Sequence, residues 1–355
     1  MTTNPLHTTA ASLDLTPRMQ PAPVGGGFAM EDSWVWCGSA IRGDDGRYHL
    51  FASRWPRSLR FSHWAVRSEV VRASADDAAG PYRFEQVVLP ARGQEYFDGR
   101  ATHNPTIIRY GDLFVLVYVG ATYEGAAPTA ADPGTWAGRR SMQAWHNKRI
   151  GMATAPSVLG PWTRRDQPLL EPRPGAWDAV ITSNPSVCVD EDGGLVMLYK
   201  STDARHDPDG RFRGRFRLGV ARAAHLDAPF QRASDGPILQ FNDPDSHVED
   251  PFLWRDGGRY CAIMKDMTGS IGGEPQAGVA ATSVDGLHWR LAQPPRAYPR
   301  AVRWSDGRVT HPAKLERPQL LIEDGRATHA YFATCDSETG MSEATKTWNL
   351  AVPLA

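Results

Sequence analysis

Glu249 and Asp250 stand side by side in the stretch HVEDPF, ahead of a proline and an apolar run. Two adjacent carboxylates repel each other, which raises the pKa of one of them. A carboxylic acid kept protonated near an ionised carboxylate is the pair that glycoside hydrolysis uses, one to protonate the leaving oxygen and the other to activate water or attack the sugar. Glu316 occupies the matching place in ERPQLL, two residues before its own proline. Glu249 is the candidate general acid, with Asp250 adjusting its pKa. Arg317, beside Glu316, would oppose that adjustment or hold a substrate anion; the same four charges could instead form an ion-pair ring.

The base is sought upstream of two equivalent strands. Asp32, in AMEDSWVWCGS, and Asp178, in GAWDAVITSNPS, lie on the entering loops, where Glu31 competes with Asp32; a surface-loop aspartate is the plainer alternative. His103 could donate a proton, bind substrate or cap a loop. Trp34, Trp36, Trp55, Trp177 and Trp254 offer faces for sugar rings or for packing between sheets. Arg54, Lys200, Lys265 and Arg317 flank the same strands. Cations beside a sugar site suit an acidic glycan such as a uronic acid, and structural salt bridges explain them as well.

The elements that must position these residues repeat. HNPTIIRYGDLFVLVYV from His103, SNPSVCVDEDGGLVMLYKS from Ser183, EDPFLWRDGGRYCAIMKD from Glu249 and ERPQLLIEDGRATHAYFAT from Glu316 share one order: polar pair, proline, apolar strand, Gly/Asp turn, apolar strand. CGSAIRGDDGRYHLFAS from Cys37 matches without the proline. Gly38, Pro105, Pro185, Pro251 and Pro318 are 67, 80, 66 and 67 residues apart. Each unit continues into a further hairpin, as in RIGMATAPSVLGPWTRRDQPLL. Alternating Val, Ile, Tyr and Phe bounded by Gly, Pro and Asp are strand and turn signals. Five such units without helical periodicity predict an all-β fold, a five-bladed β-propeller with four antiparallel strands per blade, over a rival of two packed sandwiches.

The last unit lacks a strand, so part of residues 11–30 is expected to complete blade five and remove its open edge. The organisation expected is a polar tail over 1–30, supplying that strand, and one propeller domain over 31–355. Inner strands of a propeller start at the central channel, which brings together Trp36/Cys37, His103/Asn104, Ser183/Asn184, Glu249/Asp250 and Glu316/Arg317. Asn104, Asn184 and Trp36 thereby join His103, Glu316, Arg317, Arg54, Lys200 and Lys265 as candidate substrate contacts. The insertion from Ala121 to Lys148, behind the 80-residue interval, is expected to wall or cover the mouth.

Bulk properties narrow the class. Among 355 residues, 39 Lys+Arg against 40 Asp+Glu leave a net charge of -1, which provides no global field for nucleic acid or an anionic membrane. No apolar run approaches a transmembrane length, and the N-terminal stretch lacks a signal peptide's basic and apolar regions. With four widely spaced cysteines and no C-x-x-C pair, reduced thiols and a cytoplasmic location are expected. His103, His247 and His311 have no metal-ligand spacing. No cofactor is expected, although a calcium or sodium ion held by backbone carbonyls in the channel would leave little sequence trace. The expected partner is an oligosaccharide, and an oligomer is compatible with the insertion.

The X-x-P strand openers, DGRYHLFAS-like inner hairpins and GPW turns make the chain similar to the furanosidase-type five-bladed propellers of glycoside hydrolase families 43, 32, 62, 68 and 117, from about residue 31 to 355. The blocks WVWCGS, LFASRWP, THNPTI, WDAVITSNPS, HVEDPF, MKDMTG and ERPQLL resemble those of bacterial proteins labelled family-43-like. Family 43 enzymes place an aspartate base on the first blade, a modulating aspartate on the third and a glutamate acid on the fourth. The resemblance implies the acid at Glu249; the other two places hold Cys37 and Asn184, with Asp32 and Asp178 upstream. It implies an exo-acting glycoside hydrolase. A lyase using His103 as base with Arg317 or Lys200 neutralising a uronate, and a sugar-binding propeller without catalysis, remain the alternatives.

Overall fold

In the computed structural model, which describes residues 13–132 and 138–355, five antiparallel sheets surround one axis. Residues 11–12 of the segment expected to close the ring, and 133–137 of the insertion, lie outside the described residues. Blade one holds β1 (Ser33–Arg42), β2 (Tyr48–Pro56), β3 (Glu69–Ala75) and β4 (Arg83–Leu89). Blade two holds β5 (Ala101–Tyr110), β6 (Leu113–Ala121), β7 (Arg149–Ala155) and β8 (Thr163–Arg164). Blade three holds β9 (Ser183–Val189), β10 (Leu195–Ser201), β11 (Arg217–Ala223) and β12 (Gln231–Arg232). Blade four holds β13 (Val248–Asp256), β14 (Arg259–Asp266), β15 (Gly278–Ser283) and β16 (Arg290–Tyr298). A two-stranded ribbon, β17 (Val302–Arg303) and β18 (Val309–Thr310), leads into blade five, formed by β19 (Leu315–Glu323), β20 (Arg326–Cys335) and β21 (Thr347–Pro353).

The fourth place in blade five is taken by the N-terminal segment. Met19 bridges Leu354 and Phe28 bridges Asn349, both antiparallel, with Phe28 and Asn349 exchanging N–H···O bonds of 2.9 Å. Leu13, Leu15, Met19 and Ala22 are buried with Leu350, Val352 and Leu354 in one cluster. Asn349 also binds the start of the ring, since Gly38 N donates to its Oδ1 at 2.6 Å.

Each inner strand breaks register at the same place, between Trp36/Ser39, His103/Thr106, Ser183/Ser186, Glu249/Phe252 and Glu316/Gln319. At each break one non-glycine residue has a left-handed φ: Cys37 at 54°, Asn104 at 50°, Asn184 at 48°, Asp250 at 60° and Arg317 at 52°. Such a backbone costs about 1–3 kcal/mol per residue, and bulges of this kind re-aim side chains. The proline that follows in blades two to five offers no N–H to the ladder, so it fits the interruption. Beyond the bulge, hydroxyls tie neighbouring blades: Ser39 Oγ accepts from Ile107 N at 3.2 Å, Thr106 Oγ1 donates to Pro185 O at 3.0 Å, and Ser186 Oγ accepts from Leu253 N at 2.8 Å.

Two short helices stand at the mouth, α1 (Trp64–Arg67) and α2 (Arg139–His146). Ala65 and Val66 of α1 pack with Ala144 of α2 and with Tyr123. Trp145 of α2 packs on Val180 and Ile181 and against Phe212 and Phe216. No described helix is long and apolar enough to cross a membrane. All four cysteines are buried and free.

Candidate active site at the propeller axis

The five bulges build two tiers at the axis. The inner tier is a chain of buried side chains. Asn104 Nδ2 donates to Asn184 Oδ1 at 2.8 Å, Ser183 Oγ donates to the same oxygen at 2.7 Å, and Asn184 Nδ2 donates to Asp250 Oδ1. Arg317, 1% exposed, donates from Nη2 to Asn104 O at 3.1 Å, and its Nη1 lies 3.9 Å from Asp250 Oδ1. With Cys37 buried beside them, these residues close the channel as a floor.

The outer tier is charged. Glu249 is held between two lysines, Lys200 Nζ at 2.7 Å from Oε2 and Lys265 Nζ at 2.5 Å from Oε1. Lys265 also binds Glu316 Oε1 at 2.7 Å, which Lys314 contacts at 3.0 Å. The register explains the lysines. Lys200 pairs with Ser183 and Lys265 with Glu249, so each second strand presents to the mouth the residue opposite the bulge.

These neighbours move adjacent carboxylates in opposite directions. Burial alone would raise Glu249, but the two ammonium groups outweigh it and hold its pKa well below the ordinary glutamate value. Asp250 is raised, by burial first and then by the charge of Glu249, against weaker pulls from Lys265, Arg317 and Lys200. Glu316 is lowered because Lys265 and Lys314 overcome its burial. The pair's pKa values are therefore pushed apart, Glu249 downward and Asp250 upward. The sequence expectation put the acid at Glu249; two neighbouring ammonium groups favour the ionised form of that carboxylate.

His103 closes another side. Its ring stacks on Trp64 at 4.7 Å between centroids, and Nδ1 lies 3.1 Å from Ser68 Oγ. The Ser68 hydroxyl gives its proton to Thr102 O at 2.8 Å, so Nδ1 must donate and Nε2 carries the lone pair. Burial and the cations Arg317, Lys148 and Lys200 push its pKa well below the usual histidine value, which keeps the imidazole neutral.

The structure does not bring the two proposed bases to this cluster. Asp178 is fully buried within blade three, accepting from Arg173 Nε at 2.9 Å, Arg232 Nε at 2.6 Å and Tyr199 Oη at 3.0 Å. Asp98 does the same in blade two, with Arg92 Nε at 2.7 Å, Tyr118 Oη at 2.7 Å and Arg164 Nη1 at 3.5 Å. Both tyrosines lie over a glycine of the third strand, where a Cβ on Gly151 or Gly219 would meet the ring at 2.5 or 2.4 Å. Asp178 is thus one copy of a blade-building device, and no oxygen of it is left to activate water. The matching Asp98, six residues before Asn104 as Asp178 is before Asn184, is the sequence signal that identifies this role. Asp32 is exposed on the loop entering β1, where its Oδ1 accepts from Ser33 Oγ at 3.0 Å.

Arg54 also turns away. It follows Ser53, the blade-one counterpart of Lys200 opposite Trp36, so strand alternation sends it to the other face. There it binds Glu69 at 3.1 and 3.0 Å and lies 4.4 Å from the Phe84 ring. Trp36 does reach the mouth. With Trp34, Phe61, Trp64, Lys314 and Glu316 it lines a pocket of about 680 Å3. Trp177 instead stacks on Tyr199 at 5.9 Å, and Trp254 on Phe252 at 5.8 Å.

One further residue lines the mouth, at the place just before a third strand that Ser68 holds in blade one and Phe216 in blade three. Lys148, 2% exposed, follows α2 and sets its Nζ 4.1 Å from the Trp145 ring and 5.5 Å from that of Trp64. Its only sequence cue is its place at the end of the insertion. Among the described residues no group of three or more His, Cys, Asp or Glu is arranged to hold a metal ion.

No protein-family model and no curated protein sequence matches the chain. Solved structures do. A family 117 glycoside hydrolase of the marine bacterium Zobellia galactanivorans superposes with a TM-score of 0.63 at 13% identity, over 95% of this chain and 89% of that one. The catalytic domain of a family 62 α-L-arabinofuranosidase of Coprinopsis cinerea gives 0.60 at 14% identity, over 96% and 98%. A family 43 enzyme of Xanthomonas citri gives 0.55 at 16% identity, over 98% and 94%. The chain therefore shares the five-bladed propeller fold of these three glycoside hydrolases.

Proposed function

We propose that the protein is a glycoside hydrolase that removes a terminal, acid-bearing sugar from an oligosaccharide at the axial mouth. The observation that carries this reading is the unequal setting of neighbouring carboxylates, with Glu249 between two lysines that lower its pKa and Asp250 buried beside it with its pKa raised. Environments that push two carboxyl pKa values apart assign an acid and a base. Asp250 is the proton donor to the leaving oxygen, and Glu249 stabilises the positive charge developing on the sugar or orients water. The closed floor formed by Asn104, Asn184, Asp250 and Arg317 suits a chain end rather than a chain passing through. The cations Lys200, Lys265, Lys314 and Arg317 outnumber the anions Glu249 and Glu316, which favours a substrate bringing its own negative charge.

A second reading rests on His103, whose Nε2 lone pair and neutral ring suit a base that abstracts the proton beside a uronate carboxylate, with Lys200 neutralising the anion. One screen separates the two. Purified protein is offered neutral and uronate-containing plant and algal oligosaccharides, and reducing ends and near-ultraviolet absorbance are followed. The hydrolase reading expects reducing-end release without an unsaturated product, reduced about 10²- to 10⁴-fold in Asp250→Asn. Unsaturated products would establish the lyase. Binding of sugars without turnover would overturn both.

A further inference from the structure

Lys148 is a buried amine with no carboxylate partner among the described residues. No described carboxylate comes within 4.0 Å of its nitrogen, whereas every other lysine of the mouth is paired, Lys200 and Lys265 with Glu249 and Lys314 with Glu316. The indole faces of Trp145 and Trp64 attract a cation but do not neutralise it. A buried charge persists only when it is paired or loses its proton. The side chain is held in place on both flanks: Trp145 packs on Val180 and Ile181, and Trp64 stacks on His103. Lys200, 4.2 Å from the Phe216 ring, continues the same wall.

We propose that Lys148 is the receptor for a carboxylate of the bound sugar, taking up a proton as that carboxylate arrives. The inference rests on the acidic-sugar reading of the same mouth and names the residue that selects it. Charged groups facing Lys148 are Lys200 on β10, Glu249 and Asp250 on β13, His103 on β5, His146 on α2 and His206 on the loop after β10. Burial first and then Lys200 depress its pKa far below that of an ordinary lysine, against smaller contributions from Glu249 and Asp250. The three histidines are themselves shifted downward, so they add no fixed positive charge at neutral pH. A carboxylate placed on Lys148 raises its pKa. Affinity for the acidic sugar is then constant below the free-protein pKa of Lys148 and falls about tenfold per pH unit above it, until the raised pKa of the complex is reached.

Titration calorimetry of the whole chain with the common uronates and their neutral parent sugars, in two buffers of different ionisation enthalpy, tests this. At alkaline pH the wild type binds at least one uronate about 10- to 100-fold more tightly than its neutral parent, with uptake approaching one proton per sugar. Lys148→Met, and Lys148→Gln should methionine disturb the fold, bring that ratio close to one and abolish the uptake. Wild type that prefers no uronate, or a preference and uptake unchanged in both variants, would overturn the assignment. Neither measurement needs turnover, so a protein that binds uronates in this way yet cleaves nothing refutes the hydrolase and leaves the receptor standing.

Discussion

At the scale of single residues, the mouth contradicts the expectation that neighbouring carboxylates merely perturb each other. Glu249 and Asp250 are consecutive, yet the bulge delivers them to different surroundings. Glu249 meets the ammonium groups of Lys200 and Lys265, while Asp250 sits on the floor with Asn184 and, farther off, Arg317. The lysines also stabilise the fold. The folded pKa values of Glu249 and Glu316 are depressed, so their stabilisation is complete above the unfolded glutamate value of about 4.3 and is lost as pH falls through the folded values. Lys265→Met leaves both carboxylates with one fewer partner in a buried setting. It should lower stability by about 3–5 kcal/mol at neutral pH, with the deficit shrinking on acidification, as read by urea denaturation across that range. A deficit that grew with falling pH would show that the two carboxylates are not held ionised.

At the scale of elements, the proline-marked strand openers were legible in the sequence because the bulge recurs once per blade, and a fivefold repeat exposes what one copy hides. The pairs His103/Asn104, Ser183/Asn184, Glu249/Asp250 and Glu316/Arg317 could be placed at the axis on that ground alone. What lay across from them could not, because it depends on the register of the second strand. One residue separates Ser53, which faces inward, from Arg54, which binds Glu69 on the other face. Asp178 was misread for a related reason. Its distance from the bulge suggested the channel, but Arg173, Arg232 and Tyr199 enclose it within the blade as Arg92, Arg164 and Tyr118 enclose Asp98. Asp178→Asn should therefore reduce stability by about 3 kcal/mol or more, with the specific activity of the folded fraction unchanged. A large loss of activity at unchanged stability would return Asp178 to the chemistry.

At the scale of the whole molecule, the ring explains why residues far apart in sequence share one site. Its closure depends on Phe28, Met19 and Asn349, which join the N-terminal segment to β21 and the last blade to the first. The rigid floor fixes Asp250, and the irregular pieces between the second and third strands of blades one to three, α1, α2 and the loop carrying Phe212 and Phe216, supply the wall. That wall was the least legible part of the sequence. Lys148 stands just before a third strand, where the blades differ in length and residue type: Ser68 holds that place in blade one and Phe216 in blade three. The measurement that tests the account most directly is a ¹³C carboxyl titration of Glu249 and Asp250, assigned with Glu249→Gln and Asp250→Asn. The account predicts that Glu249 loses its proton below the ordinary glutamate range, that Asp250 keeps its proton above the ordinary aspartate range, and that Glu249→Gln lowers the Asp250 midpoint. Asp250 ionising first, with Glu249 still protonated beside it, would contradict the assignment of acid and partner on which the proposed hydrolysis rests.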